Sequence, residues 1–269
     1  MSRGVRISTE LSFGHTVTGG RTRRSLPKAT LFDMDDTIFD HALTCKAALG
    51  WLRRETGFLQ RRRLDELWVE YARLLESVHP LIVAGRLDAT KARRERFFRL
   101  AAFCGVRVSE EDAASLSRCY RSHYQRLRRP VPGVGRVLAR LHGRTVVGVV
   151  TNNQVAEQEE KLTFLGVRNL VDFLVISEGV GVSKPDPRIF EIALDQASAE
   201  PTEAVMVGDS WSNDVLGARA AGIRAVWFNR FRARNPEPAT VVELDSFRSM
   251  RRVKEALSNE GPGPRALKR

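Results

Sequence analysis

Apolar residues along this chain follow two rhythms. Short, largely apolar runs at residues 29–33, 146–150, 173–176, 204–207 and 223–228 are bounded by Gly, Asp, Thr or Asn. Runs of this kind predict strands buried on both faces of a sheet. Between them, residues 134–141, 155–164, 187–196 and 214–221 repeat apolar positions at helical spacing, with Gly166 and Gly222 as stops. Such alternation predicts a parallel sheet with helices on both faces. Residues 241–244 add an expected edge strand and 246–257 a last helix.

One stretch breaks the alternation. From about residue 44 to residue 129 the pattern is helical throughout, with Trp51, Leu52, Leu64, Leu67, Trp68, Tyr71, Leu74 and Leu75 recurring at helix period. Further helices are expected over 89–104 and 110–127, the second opened by a Ser109/Asp112 capping box. Pro130-Val131-Pro132-Gly133 closes the block. The expected organisation is an α/β, Rossmann-like parallel-sheet core made of residues 29–40 plus 132–247. An inserted all-α unit, residues 41–131, would form a separate lobe over the C-terminal edge of that sheet, where ligands of such folds bind. Residues 1–28 read as a disordered basic extension, and 248–269 as a helix end and basic tail.

Composition adjusts this picture in three ways. A chain of 269 residues, 42% hydrophobic, can bury one ample core and an accessory unit. No apolar run approaches the roughly 20 residues of a membrane span, so no membrane partner is expected. The N-terminus lacks an apolar leader, and Cys45, Cys104 and Cys119 have no metal-ligand spacing. A reducing, cytoplasmic location is therefore the expectation. The net charge of +12 is unevenly spread: residues 41–131 carry 19 basic and 10 acidic side chains, whereas residues 29–40 carry four Asp and no Lys or Arg. No aromatic-interleaved basic motif accompanies the surplus, which argues against a nucleic-acid partner. Arg61-Arg62-Arg63 must splay around a helix, so the basic charge is assigned mainly to outer helix faces.

The chemistry is expected at the strand ends. Leu31-Phe32 runs straight into Asp33, Asp35 and Asp36, with Thr37 behind. Carboxylates packed together repel, and burying them unpaired is costly, so a cation belongs there. Thr151 and Asn152 follow the second strand, Lys184 lies in the loop after the third, and Asp209 and Asp214 follow the fourth. In a parallel sheet these ends converge on one edge. The set reads as phosphoryl transfer through an aspartate. Asp33 would be the nucleophile, with Asp35 protonating the leaving oxygen and then deprotonating water. A hard divalent cation, Mg²⁺, would be held by Asp33, Asp209 and the main-chain carbonyl of Asp35. Asp214 would bind it or orient it. The Thr151 hydroxyl, the Asn152 amide and the Lys184 ammonium would bind the phosphate, so the partner is a small phosphorylated substrate.

D-M-D-D-T, T-N-N, S-K-P-D-P-R-I-F and V-G-D-S-W-S-N-D-V-L-G-A-R-A-A-G closely resemble the four motifs of the haloacid dehalogenase (HAD) superfamily. The helical insertion resembles that superfamily's α-helical cap. The resemblance implies a Rossmann-like core, Mg²⁺ dependence and an aspartyl-phosphate intermediate. Asp36 in place of a common glycine, together with Trp227-Phe228-Asn229, resembles the nucleotidase branch, so a nucleoside monophosphate is one expected substrate. Asp35 argues against dehalogenation, which needs no proton donor for its leaving group. Lys46 and Lys91, the two lysines of the insertion, lack the context of a phosphonatase Schiff base. Asp36 is expected to be a turn residue whose N–H faces the phosphate. His41, Trp68, Tyr71 and His79 are expected to pack or lie at the surface. A phosphomutase of the same fold, or a binding protein using its basic tails, would be the alternatives.

Overall fold

The computed structural model describes residues 25–258, apart from residue 84 and the side chains of residues 79, 80 and 83. Most of the expected basic extension and the basic tail beyond residue 258 lie outside the described residues, as does the His79 side chain. Residues 26–28 belong to the core: Leu26 packs against it, the Lys28 N–H donates to the Glu203 carbonyl at 2.8 Å, and the Lys28 carbonyl accepts from Val146 at 2.8 Å.

The strands are β1 (Ala29–Phe32), β2 (Val146–Thr151), β3 (Phe173–Ile176), β4 (Ala204–Gly208), β5 (Arg224–Phe228) and β6 (Val242–Leu244). They form one sheet in the order β3-β2-β1-β4-β5-β6, and every pair is parallel. Strands β1 and β4 are buried at every position, which is why they show no polar alternation. The chain runs outward from β1 to β3, then crosses back to β4 on the other side of β1. That reversal opens a crevice beyond the C-terminal ends of β1 and β4.

Helices α1 (His41–Glu55), α2 (Leu64–Val83), α3 (Ala89–Phe103) and α4 (Glu110–Leu127) form the block between β1 and β2. Asp88 caps α3, and Ser109 with Asp112 makes a reciprocal capping box on α4. Chain entry and exit run side by side: Asp40 donates its N–H to the Arg129 carbonyl at 3.0 Å, and Val131 donates to Ile38 at 2.8 Å. The block is not insulated from the sheet. One apolar cluster runs from Leu49, Tyr71 and Phe97 through Phe39 and Phe32 to Val147 and Val207.

The remaining helices are α5 (Val134–Leu141), α6 (Val155–Phe164), α7 (Ser177–Val180), α8 (Pro187–Ala197), α9 (Gly217–Ala220) and α10 (Met250–Leu257). Two expectations change. The α-helix expected over 214–221 begins instead as a π-helical segment, Trp211–Leu216, and only Gly217–Ala220 is α-helical. The C-terminal helix is a packed part of the core, burying Val253, Ala256 and Leu257, and Arg224 of β5 donates to its last carbonyls at 2.8 and 2.7 Å.

Gly133 ties this C-terminal segment to α5. Its φ is +95°, and a Cβ there would lie 2.7 Å from the Phe247 carbonyl oxygen. Gly143 has a similar φ of +71° but open space around it. Gly143→Ala should therefore cost about 1 kcal/mol, the left-handed backbone term alone. Gly133→Ala adds a clash with main chain and should cost about 3 kcal/mol. Thermal melts of the two variants check this, and equal Tm losses would contradict the contact.

Candidate active site

β1 ends in the floor of a cleft. The Asp33 N–H extends the ladder by donating to Val207 at 2.9 Å, which fixes its side chain at the crevice between β1 and β4. Lys184 enters from the loop before α8. Its Nζ donates to Asp33 Oδ1 at 2.6 Å, Asp214 Oδ1 at 2.6 Å and the Val150 carbonyl at 2.8 Å. All three ammonium donors are thus used. The Lys184 backbone is held by Asn152, whose side chain accepts from the Lys184 N–H at 2.8 Å and donates to its carbonyl at 2.8 Å. The Asn152 side-chain amide therefore sets the lysine loop.

Carboxylate oxygens of Asp33, Asp209 and Asp214 lie within 4.8 Å of one another. The π-helical turn lets Asp214 fold back, so that its Oδ2 accepts from the Ser210 N–H at 2.9 Å while Oδ1 meets Lys184. Gly208 makes room: a Cβ there would collide with the Asp214 side chain. One ammonium cannot balance three carboxylates. Burial, with Asp214 and Asp35 nearby, pushes Asp33 up to about 7 even against Lys184. Burial and the Asp33 and Asp214 charges hold Asp209 far above the usual carboxylate range. Burial opposes the charge on Lys184, but Asp214 and Asp33 outweigh it and keep the group well above an ordinary lysine. A hard cation with oxygen ligands fits this excess of negative charge.

Asp35 stands apart from the trio. Its side chain turns to Lys161 of α6, which donates to Oδ1 and Oδ2 at 2.7 and 2.9 Å. Gln158 and Asn153 donate to Oδ2 at 3.1 and 3.3 Å, and His41 Nδ1 lies 3.6 Å from Oδ1. Burial would raise its pKa, but Lys161 and His41 outweigh it and hold Asp35 well below the usual range. Among the metal-directed expectations, the Asp35 carboxylate is therefore outside the cluster, leaving its main-chain carbonyl as the expected donor. Gln158 also donates to the Thr151 hydroxyl at 3.1 Å, linking the ends of β1 and β2.

Asp36 corrects an expectation. Its N–H donates to the Phe39 carbonyl at 2.7 Å, so it does not face a phosphate. The residue turns the chain with φ +61°, and its Oδ1 accepts from the Ala42 N–H at 2.9 Å in the first turn of α1. Arg230, from the loop after β5, sits 3.6 Å from Asp36 and 2.9 Å from Asp40.

The cleft is a cavity of about 550 Å³ between the sheet edge and the helical block. Asp33, Asp35, Thr151, Asn152, Lys184 and Asp214 all line it. His41, Trp68 and Tyr71, expected to pack or lie at the surface, line it too, although Tyr71 is 1% exposed. The basic block divides: Arg61, Arg62 and Arg63 are exposed as expected, but Arg93, Arg96 and Arg121 face the cavity. Lys161 and Gln158 went unread in the sequence. Their signal was positional: they share the α6 stripe that buries Leu162, where polar residues have no place unless partnered.

A family model for haloacid dehalogenase-like hydrolases matches residues 27–222. This chain belongs to that family. The HAD-like chain is 31% identical to the pyrimidine 5′-nucleotidase YjjG of Escherichia coli over 213 residues, covering 77% of this chain and 88% of that protein. It is 33% identical to the phosphoserine phosphatase of Thermus thermophilus over 245 residues, covering 83% and 97%. The magnesium-bound crystal structure of the HAD hydrolase YfnB from Bacillus subtilis superposes with a TM-score of 0.65 at 22% identity, covering 83% and 96%, and shares the fold.

Asp33 also makes the HAD site pH-sensitive. Its folded pKa of about 7 lies above the ordinary 3.8. Below about pH 4 both states are protonated and the group is neutral to stability. As pH rises toward 7, the unfolded chain ionises first and the folded state loses stability. A divalent cation held by Asp33 and Asp209 would relieve that loss only where Asp33 can ionise. At roughly hundredfold excess over Kd, Mg²⁺ should raise Tm by about 5 °C or more at pH 8 and far less at pH 5. Asp33→Asn should remove most of the increment; equal increments at both pH values would contradict this assignment.

Proposed function

We propose that this hydrolase is a Mg²⁺-dependent phosphomonoesterase that cleaves a small phosphorylated metabolite through an aspartyl-phosphate on Asp33. The observation that carries the reading is the Lys184 ammonium, bonded to Asp33 and Asp214 beside Asp209 at the floor of a walled cavity. A carboxylate nucleophile must approach an anionic phosphate, and this arrangement supplies positive charge where the two negative groups meet. Mg²⁺ bound by Asp33, Asp209, Asp214 and the Asp35 carbonyl would neutralise the remaining excess between nucleophile and phosphate.

Asp33 attacks phosphorus, and the P–O bond to the leaving alcohol breaks. Lys184 and the Thr151 hydroxyl hold the transferring group. Asp35 is ionised in the free site, where Lys161 neutralises it. A phosphate dianion arriving beside it adds negative charge and raises its pKa toward the protonated form that can donate to the leaving oxygen. Ionised again, Asp35 takes a proton from the water that hydrolyses the aspartyl-phosphate. Helices α1–α4 act as the cap that closes the cavity and reads the leaving group. The two relatives are named for pyrimidine nucleotides and phosphoserine. That supports a small phosphate ester, with nucleoside monophosphates among the candidates.

Asp33→Asn should retain the fold by circular dichroism and lose turnover of p-nitrophenyl phosphate by about 10⁴-fold or more. EDTA should stop the wild-type enzyme and Mg²⁺ restore it. Near-normal phosphate release by the Asp33→Asn variant would remove the proposed nucleophile.

A further inference from the structure

The cavity has a second cationic region. Arg93 and Arg96 of α3 and Arg121 of α4 line its helical wall. Arg96 is 5% exposed, packs 5.4 Å from the centre of the Tyr71 ring, and leaves its Nε without a hydrogen-bond partner. Among the described residues, none of the three guanidinium groups has a carboxylate within 4.0 Å. The neighbouring Tyr120 hydroxyl is also buried without a hydrogen-bond partner. Burial and the adjacent Arg121 and Arg96 charges lower the pKa of Arg93. Two acids also line this cavity: Glu157 lies 3.4 Å from Lys161, and its charge also reaches Arg93 and Arg121, partly offsetting theirs, while Glu76 is exposed. A desolvated guanidinium with no acceptor is expensive, and three together repel.

The scissile phosphate cannot be what completes this wall, because its place is at Asp33, Lys184 and Thr151. We propose that the substrate carries a second anionic group, a carboxylate or a second phosphate, which seats against Arg93, Arg96 and Arg121. The inference rests on the phosphomonoesterase reading and narrows its substrate to phosphorylated acids or bisphosphates. Neutral sugar or base edges can accept hydrogen bonds, but they leave the charge of the wall unbalanced. Carboxylate and phosphate oxygens match the planar fork of arginine and its charge together.

The test compares two short homologous series: phosphorylated hydroxy-carboxylates and alkanediol bisphosphates, each against the alkanediol monophosphate of the same length. At the best length, wild-type kcat/KM should favour an anionic substrate by about tenfold or more over its neutral counterpart. Which series wins identifies carboxylate or phosphate as the second anion. Arg96→Met, and the less buried Arg93→Gln in case the first fails to fold, should bring that ratio toward one. The change should appear mainly in KM for the anionic substrate, and Arg96→Lys should restore part of it. A wild-type ratio near one at every length, with Mg²⁺-dependent turnover intact, would overturn the second-anion site and leave the phosphatase reading standing. An unchanged ratio in folded arginine variants would do the same. No turnover of any ester would instead defeat the phosphatase reading itself.

Discussion

The arrangement depends on charge at one strand end. Parallel packing brings the C-terminal ends of β1 and β4 side by side, and each delivers a carboxylate into the same low-dielectric crevice. Asp214 adds a third. Lys184, the cation that meets two of them directly, is itself buried, and the charges of Asp214 and Asp33 keep it protonated against that burial. The lysine and the acids thus require each other, and their sum still falls short of neutrality. Local features follow from that shortfall. Gly208 lacks a side chain where Asp214 must pass, and the π-helical turn bends Asp214 back toward the lysine. Asn152 grips the lysine loop through both of its amide atoms.

Asp33 and Asp35 lie two residues apart yet occupy opposite electrostatic settings. Asp33 shares one lysine with two other acids and is driven toward neutrality. Asp35 meets Lys161 directly, with His41 close by, and is held ionised. Two carboxylates in one water-accessible patch would titrate together. Here the turn after β1 sends Asp33 to Lys184 in the loop before α8 and Asp35 to Lys161 of α6, and the separation comes from which cation each one reaches. On the proposed mechanism, a donor held ionised in this way would take up its proton only when an anion arrives, which would couple protonation of Asp35 to substrate binding.

The strands themselves, the helical insertion and the convergence of Asp33, Thr151, Lys184 and Asp209 were legible because each is written in local pattern, whereas the order of the strands across the sheet is not. An apolar run that stops in a polar residue marks a strand end, and parallel ends meet. Partners that depend on rotation about a helix axis were not legible. Lys161 drew no reading from the sequence, and in the fold it is buried among Asp35, Glu157 and Phe39. Asp36 was placed in the right turn but with the wrong role. Its N–H could not be known to meet Phe39 until the left-handed backbone at Asp36 closed that turn. The π-helical start of the segment after β4 was not legible either: no local pattern marked Trp211–Leu216 as other than an α-helix.

The helical block shows how little net charge says about where charge acts. Its basic surplus reads as solvation from sequence, and for Arg61 to Arg63 it is solvation. Arg93, Arg96 and Arg121 belong to the same surplus but face inward across helices α3 and α4. Solvent screens the outer group, so it contributes little to any ligand. The inner group sits in a walled cavity of about 550 Å³, where charges interact strongly and an unmet guanidinium is costly. The two ends of the cavity therefore differ in kind. The sheet end holds more carboxylates than its lysine can neutralise, an imbalance that a hard cation would relieve. The helical end holds three guanidinium groups with no carboxylate within ion-pair distance among the described residues, an imbalance of the opposite sign. On the proposed reading, a ligand anionic at both ends, entering with a divalent cation, would answer both, and a ligand anionic at one end would answer only one.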